Sequence, residues 1–263
     1  MRERDRIVVV IPAYNEAEAL PSFLAEIRAS FAAVDTPVSI VVLDDASTDQ
    51  TSAAVDGLAE VVRAPRNRGH GPTALAAYAE GLREGADVIV HVDGDGQFYG
   101  DDIARVALAL DDADADVVHG VRRGRTDPWF RRGLSGLVRL AVLALCGRSV
   151  PDVNTPLRAY RPQTLATLVD GVPADALVPH VHFSIAEART GLRMRYVAVE
   201  SIPRRAVAAQ GTMWGEGRSR QVFPPRRLVR FAARALLELW RVDIVTVGRG
   251  ASTRAAGTAP ARG

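Results

Sequence analysis

The stretch ADVIVHVDGDGQF, residues 86–98, joins a short apolar run to two aspartates, two glycines and a glutamine. Its first part, Asp87–Val92, has the β-branched composition of a buried strand. Asp and Gly favour a turn, because Gly adopts positive φ and Asp bonds its own backbone. The same residues suit a hard divalent cation, with Asp93 and Asp95 as oxygen ligands and Gln97 as a neutral third. This stretch alone leaves both the turn and the metal site open.

Strand-like and helix-like segments alternate on both sides of this stretch. Further strands are predicted at Ile7–Pro12, Val38–Leu43, Glu60–Arg63 and Asp116–His119, and helices at Glu16–Phe31, Asp49–Leu58, Thr73–Arg83 and Asp101–Leu110. This βαβα order predicts an α/β fold with a mostly parallel sheet flanked by helices.

The pattern loosens beyond residue 125. Helices are predicted at Phe130–Leu145, His180–Thr190 and Arg226–Arg241, a strand at Met194–Ser201, a loop with a short strand at 148–161, and a loop at 205–225. We expect a single domain over residues 1–245, with halves at 6–125 and 126–245. The tail at 246–263 is low in hydrophobicity and is predicted to be disordered.

The composition excludes several classes of protein. Of the 263 residues, 48% are hydrophobic and 24% charged, as in soluble globular proteins, and the net charge of +2 gives no reason to expect nucleic acid as a partner. A single cysteine, Cys146, rules out an internal disulfide and fits a cytoplasmic protein. The longest apolar stretch, Leu140–Cys146, is far short of the ~20 residues of a membrane-spanning helix, so none is predicted.

Charged clusters follow each of the first five predicted strands. They are PAYNE at 12–16, DDASTD at 44–49, RNRGHG at 66–71, DGDGQ at 93–97 and RRGR at 122–125. Ligands of open α/β sheets bind at the carboxyl ends of the strands. Acidic clusters at the first, second and fourth strands, with basic clusters at the third and fifth, predict an anionic substrate held by a divalent cation and arginines.

A dinucleotide-binding loop is the alternative at Gly69–Ala74, which matches G-x-G-x-x-A and opens a predicted helix. That fingerprint belongs on the first βα turn. Here the first turn reads PAYNEAE, residues 12–18, and contains no glycine. A nicotinamide-dependent enzyme is therefore disfavoured.

Four segments in order carry a resemblance to a known family. They are IPAYNEAEAL at 11–20, VVLDDASTDQT at 41–51, NRGHGPTALAAYAEGL at 67–82 and VIVHVDGDGQF at 88–98. Together they resemble the nucleotide-sugar domain of family-2 glycosyltransferases with the GT-A fold. Within that family the chain is most similar to polyprenyl-phosphate (dolichol-phosphate) mannose or glucose synthases. The resemblance covers about residues 6–165 and weakens towards residue 221.

The resemblance implies a donor site and a metal site. Residues expected to bind a nucleotide-diphosphate sugar are Pro12, Tyr14, Glu16, Asp44, Asp45, Gly71, Asp93, Gly94 and Arg220. Residues expected to hold Mg²⁺ or Mn²⁺ are Asp93, Asp95 and Gln97, with Asp95 also counted as catalytic. The metal would neutralise charge on the departing nucleoside diphosphate.

The acceptor is predicted from the second half of the chain. Many inverting relatives use a carboxylate base in a Glu-Asp pair, but residues 175–187 contain no such pair. Asp175 and Glu187 are therefore interpreted as solvated or capping residues, and His180 and His182 as loop or core residues. A phosphate acceptor needs no strong base, because its second pKa of about 6 makes it a dianion at neutral pH.

The similar synthases bind the acceptor phosphate with an arginine after strand five and an Arg-x-x-x-Ser pair, which Arg122, Arg131 and Ser135 match. Arg131 and Ser135 lie four residues apart and share one face of the predicted helix. Residues 152–161 resemble the family segment D-x-x-S-G-F-R-A-Y-R, and residues 217–220 resemble G-x-S-K with arginine as the last residue. Trp214 departs from the family, which usually has an arginine there.

The predicted reaction is inverting transfer of a hexose to polyprenyl phosphate. The alternatives are a same-fold enzyme with a glycan or small-molecule hydroxyl acceptor, and a non-catalytic nucleotide-sugar-binding protein. Leu137–Cys146 and Arg226–Trp240 are amphipathic; they either lie in a membrane interface or pack on the sheet. With a lipid acceptor, we expect a cytoplasmic protein in peripheral contact with the inner face of the cell membrane.

Overall fold

The protein forms a seven-stranded sheet covered by helices, seen in a computed structural model that describes residues 6–112, 114–124, 129–205 and 226–245. The strands are β1 Ile7–Ala13, β2 Val38–Asp44, β3 Glu60–Arg63, β4 Val88–His91, β5 Val117–Arg123, β6 Arg158–Tyr160 and β7 Met194–Glu200. The helices are α1 Leu20–Ala33, α2 Thr51–Ala54, α3 His70–Arg83, α4 Gly100–Asp112, α5 Trp129–Cys146, α6 Pro162–Asp170, α7 Pro179–Thr190 and α8 Arg226–Leu239, which continues as a π-helical segment, Trp240–Val245.

The strand order is β3-β2-β1-β4-β6-β5-β7. All neighbours are parallel except β6, which runs antiparallel between β4 and β5. The predicted α/β fold with a mostly parallel sheet is confirmed. Strands β1 and β4 are buried along their whole length, which explains why they read as continuous apolar runs without alternation.

Two hydrophobic layers enclose the sheet. One face packs against α1 and α4 through residues such as Phe23, Ile27 and Leu110, and the opposite face packs against α3, α6 and α7 through residues such as Tyr78, Leu165 and Phe183. A third cluster, which includes Val142 and Val181, joins α5 and α7. The helices therefore leave the carboxyl ends of the central strands free to form a site.

The predicted elements differ from the observed ones in a few places. Helix α6 was not predicted, and α2 is only four residues long instead of Asp49–Leu58. Helix α1 begins at Leu20, because residues 12–16 continue from β1 into the site. The disorder predicted at 246–263 and most of the loop predicted at 205–225 lie outside the described residues.

Candidate functional site

A cavity of about 600 Å³ opens at the carboxyl ends of β1, β2 and β4. Its floor contains most of the residues predicted from these strand ends: Pro12, Tyr14, Glu16, Asp45, Asp93, Gly94, Asp95 and Gln97. The opposite wall comes from the second half of the chain: Asn154, Leu177, Val178, Pro179, His180 and Phe231. Arg204 belongs to the same half but lies beside Asp95 of the floor. The topology thus brings three sequence clusters together because parallel neighbouring strands end at one edge.

The DGDGQ turn places the two predicted metal ligands in this floor. Gly94 lies against β1: its N–H bonds the carbonyl oxygen of Pro12 at 3.2 Å, and an added Cβ would come within 3.0 Å of that same oxygen. Gly96 has φ of +68°, a conformation that favours glycine. The turn expected from Asp and Gly is therefore present, and it also directs both carboxylates into the cavity.

The chemistry of this turn fits a divalent cation. The Oδ1 atom of Asp93 is buried and has no hydrogen-bond partner among the described residues. Nε2 of His70 lies 3.9 Å from it. Burial, and then the charge of Asp93, raise the pKa of Asp95 to about 6. Two close carboxylates with an unpaired buried oxygen are stabilised by a cation, and hard oxygen ligands are those that Mg²⁺ and Mn²⁺ prefer.

Arg204 is a site residue that the sequence interpretation missed. It follows β7, forms an ion pair with Glu16, and its Nε lies 3.8 Å from Oδ2 of Asp95. Burial raises the pKa of Glu16 to about 7, against the opposing effect of Arg204. Applying the strand-end rule to β7, as well as to the first five strands, could have found Arg204.

Arg205 supports the metal-binding turn from behind. Its Nε donates to the carbonyl oxygen of Gly96 at 3.0 Å and its Nη2 to that of Phe98 at 3.2 Å. Its Nη1 pairs with Glu26 at 2.5 Å, which ties the turn to α1. Arg205 thus fixes the backbone that carries Asp95.

Among the predicted donor-binding residues, Asp45 shapes a neighbouring loop. Its carboxylate accepts hydrogen bonds from the N–H groups of Arg68 and Gly69 at 2.8 and 2.9 Å.

Gly71 does not line the cavity, but an added Cβ would lie 2.0 Å from the carbonyl oxygen of Ala176. Gly71 therefore permits α3 to approach the opposite wall of the cavity.

Asp44 lies below the cavity and does not line it. Its fully buried carboxylate accepts hydrogen bonds from the N–H of Ser47 at 2.8 Å and from Arg63 at 2.7 Å, and it also pairs with Ser52. Burial alone would raise the pKa of Asp44, but the Ser47 and Ser52 hydrogen bonds and the charge of Arg63 lower it. Through these contacts, Asp44 stabilises the loop that contains Asp45.

The predicted acceptor residues are not brought together by described contacts. Arg122 forms a bidentate pair with Asp152 at 2.8 and 3.0 Å, and it also donates to the carbonyl oxygen of Asn154 at 3.3 Å. Ser135 is exposed on α5. The backbone of Arg131 belongs to the same helix, but its side chain lies outside the described part of the chain. Arg220 and Trp214 also lie outside the described residues.

The interpretation of Glu187 as a solvated or capping residue was wrong. Glu187 is fully buried, 3.4 Å from Nη1 of Arg158 and 2.9 Å from Nε2 of His119, and it accepts a hydrogen bond from Tyr160. Its burial is possible because the Arg158 guanidinium, the His119 ring and the Tyr160 hydroxyl surround it. Asp175 is exposed, as expected.

The core roles expected of His180 and His182 agree with their burial. His180 also lines the cavity, and its Nε2 lies 3.1 Å from the hydroxyl of Tyr78. Burial, reinforced by the charges of His91 and Arg158, lowers the pKa of His180 well below its ordinary value. His180 is therefore a neutral hydrogen-bonding group in the cavity wall.

The family model described as "Glycosyl transferase family 2" matches residues 8–169. This chain belongs to glycosyl transferase family 2. Its sheet and helices are those of the GT-A fold that the resemblance predicted, and both expectations are confirmed.

Two curated family members illustrate the likeness. An undecaprenyl-phosphate 4-deoxy-4-formamido-L-arabinose transferase from Serratia proteamaculans is 28% identical over 74% of this chain and 61% of its own length. An undecaprenyl-phosphate mannosyltransferase from Micrococcus luteus is 30% identical over 76% of this chain and 84% of its own length. This chain thus spans less than two thirds of the Serratia protein.

Among solved structures, glucosyl-3-phosphoglycerate synthase from Mycobacterium tuberculosis, in complex with Mn²⁺, UDP and glucosyl-3-phosphoglycerate, superposes with a TM-score of 0.62. The two proteins are 19% identical, and the superposition covers 90% of this chain and 79% of the other. At this identity the likeness concerns the fold alone.

Proposed function

We propose that this chain transfers a hexose from a nucleotide-diphosphate sugar of the GDP-mannose or UDP-glucose type to polyprenyl phosphate, using Mg²⁺ or Mn²⁺. The observation that carries the proposal is the pair of carboxylates on the cavity floor, in which a buried oxygen of Asp93 has no hydrogen-bond partner among the described residues. The names of the Serratia and Micrococcus relatives, which both include undecaprenyl phosphate, support the choice of acceptor.

The proposed reaction forms one bond and breaks one. An oxygen of the acceptor phosphate attacks C1 of the hexose, while the bond from C1 to the donor diphosphate breaks and the configuration inverts. Asp93, Asp95 and Gln97 would hold the cation, which supplies a Lewis acid that neutralises the leaving diphosphate. Arg204, on the same side of the cavity, would add a positive charge that stabilises the same group.

The cavity wall favours an acceptor that brings its own negative charge. From the second half of the chain, the described lining residues include no carboxylate. Glu187 lies on the neighbouring helix α7, but it is held by Arg158 and His119 and does not reach the cavity. A hydroxyl acceptor would need a base to take its proton, whereas a phosphate monoester is already a dianion.

We assign the acceptor phosphate to Arg122, Arg131 and Ser135. Arg122 supports this assignment through its contact with Asn154, which lines the cavity. Its pairing with Asp152 would hold the guanidinium in place. Ser135 on α5 would offer a hydroxyl donor from an exposed position.

Two helices support contact with the inner face of the cell membrane. Helix α5 exposes Leu137 and Leu140, by 56% and 62%. Helix α8 exposes Val229 by 52%, and its π-helical continuation exposes Trp240 by 54%. Helix α8 also carries the exposed arginines Arg226, Arg227, Arg230 and Arg234. Apolar side chains beside arginines suit an anionic lipid surface. No helix in the described part of the chain combines the length and apolarity needed to cross a bilayer.

A hydroxyl acceptor is the second candidate, because His180 lines the cavity and Arg122 does not. A hydrogen-bonding imidazole in the wall could orient a sugar or aglycone hydroxyl. This candidate keeps the donor site and the metal unchanged and differs only in the acceptor.

A transfer assay tests the proposal. Purified protein would receive a short polyprenyl phosphate, Mg²⁺ or Mn²⁺, and in turn GDP-mannose, UDP-glucose, UDP-N-acetylglucosamine and UDP-galactose, with the lipid product read by mass. We expect one donor to give a product that disappears with EDTA and with Asp95→Asn. The matched control, Asp56→Asn, removes an exposed carboxylate that does not line the cavity and should retain the product.

The outcomes separate the two candidates. Transfer to a hydroxyl compound but never to polyprenyl phosphate would support the second candidate. Metal-dependent binding of a donor with neither transfer nor hydrolysis would overturn both and favour a nucleotide-sugar-binding protein.

A further inference from the structure

Few apolar residues attach helix α8 to the rest of the protein; one of them, Leu239, packs partly buried against the cluster of α5 and α7. Only Leu228 and Ala235 are buried within it, each 7% exposed, whereas Leu236 and Leu237 are 46% and 45% exposed. Burial of apolar surface normally holds such a helix in place. Phe231 of α8 lines the cavity. Polar contacts must therefore help to hold α8 in this position.

A buried histidine provides such contacts at the end of α8. Nδ1 of His182, on α7, lies 2.7 Å from Oδ2 of Asp243 in the π-helical segment, and Nε2 lies 2.9 Å from Oε1 of Glu238 on α8. The histidine side chain is 1% exposed. Ionised carboxylates only accept hydrogen bonds, so two of them satisfy both ring nitrogens only when both carry a proton. The geometry is that of an imidazolium between two carboxylates.

The same contacts reach the cavity. The carboxylate oxygens of Glu238 also accept the N–H of Leu177, at 2.9 and 3.1 Å, and Leu177 lines the cavity. Arg189 on α7 donates to the carbonyl oxygen of Asp243 at 2.7 Å. One buried cluster therefore joins α7, α8, the π-helical segment and the cavity wall.

We infer that His182, Glu238 and Asp243 form a clasp that positions α8 and the Leu177 side of the cavity, and that the clasp closes only when His182 is protonated on both nitrogens. His182 is a positioning residue: it acts on the cavity through Glu238. The inference concerns the attachment of α8 and holds for any acceptor that the cavity takes.

The direction of the pH dependence follows from the groups that face His182. Burial lowers the pKa of His182, but the hydrogen bonds and charges of Asp243 and Glu238 outweigh it and raise the pKa above the ordinary value of 6.5. Two more ionisable groups lie near Asp243, Arg189 from α7 and Cys146 from α5. The clasp is thus fully closed below pH 6.5 and opens as the pH rises through the raised pKa of His182.

Amide hydrogen exchange on the full chain tests the clasp. Protection factors, corrected for the intrinsic pH dependence of exchange, would be measured from about pH 6 to about pH 9, the range that brackets a raised histidine pKa. We expect the protection of α8 and of the Leu177 amide to fall at least tenfold across this range, while α3 remains protected. Carbon-13 NMR of the histidine ring should show His182 losing a proton over the same range.

Variants provide a second measurement. His182→Gln should lower the protection of α8 at low pH and remove its pH dependence, whereas Glu200→Gln, an exposed carboxylate elsewhere, should change neither. If His182→Gln does not fold, the wild-type series decides. Protection of α8 that is independent of pH, or a His182 ring that is neutral at about pH 6, would overturn the inference.

Discussion

Replacing Glu187 with glutamine should destabilise the protein strongly, although the two side chains have the same shape. The change removes the negative partner of Arg158 and His119, both fully buried, at distances of 3.4 and 2.9 Å. Breaking a buried ion pair on one side costs about 3–5 kcal/mol, because the other charge stays buried. Arg158 retains hydrogen bonds to Val153, Thr155, His180 and Ser184, so we expect the lower end, about 3 kcal/mol.

The pKa of Glu187 gives a consistent magnitude. Burial raises the pKa, but His119 and Arg158 lower it from 4.5 to about 2. A pKa difference of that size between the unfolded and folded states corresponds to about 3 kcal/mol of folding stability. Because the folded-state pKa is depressed, this stability is fully present above pH 4.5 and is lost as the pH falls towards 2.

Guanidinium unfolding followed by circular dichroism, at neutral pH and at about pH 3, measures this effect. We expect the difference between the wild type and Glu187→Gln to be large at neutral pH and to shrink in acid. The control Glu80→Gln removes one of the three carboxylates that pair with the exposed Arg83 and should leave the midpoint nearly unchanged. If Glu187→Gln lowers the free energy of unfolding by less than about 1 kcal/mol at neutral pH, the reasoning is refuted, because exposed surface ion pairs contribute that much.

Three further predictions concern the cavity and the membrane contact. Gly71→Ala should lower the stability of the protein by about 1–3 kcal/mol in thermal unfolding, because the added Cβ would lie 2.0 Å from a backbone oxygen. The control Gly136→Ala, whose added Cβ meets open space, should not lower the melting temperature. Arg204→Ala should weaken binding of UDP or GDP with Mn²⁺ about tenfold in calorimetry, and Arg204→Lys less; equal affinities would remove Arg204 from the donor site. Trp240→Ser should reduce sedimentation with phosphatidylglycerol vesicles, and unchanged binding would count against the π-helical end of α8 as a membrane contact.

The first half of the fold could be predicted because its signals are local. Strands such as β1 and β4 are buried on both faces and read as unbroken apolar runs. Each is followed within a few residues by its own polar cluster, so the order of strands and clusters already places Glu16, Asp93 and Asp95 at one edge. The cavity contains all three.

The second half depends on partners distant in sequence. Strand β6 is three residues long and runs antiparallel between β4 and β5. No local sequence pattern predicts this position in the sheet. The insertion aligns Arg158 with His91 on one side and His119 on the other. Glu187, from α7, then completes the cluster, and nothing within residues 175–187 shows that this carboxylate is paired.

The charges of the cavity explain why a cation and the proposed donor belong together. Among the described residues, four carboxylates line it, from Glu16, Asp45, Asp93 and Asp95, against one arginine, Arg204. Asp45 is satisfied by backbone N–H groups, and Glu16 by Arg204, so the negative charge that remains is concentrated on the DGDGQ turn. A diphosphate brought to this turn alone would meet like charges in a poorly solvated place, at a cost that grows as the local dielectric falls. A divalent cation bound to the carboxylates would attract the diphosphate instead of repelling it. The acidity of the turn therefore favours binding of the donor together with a metal ion.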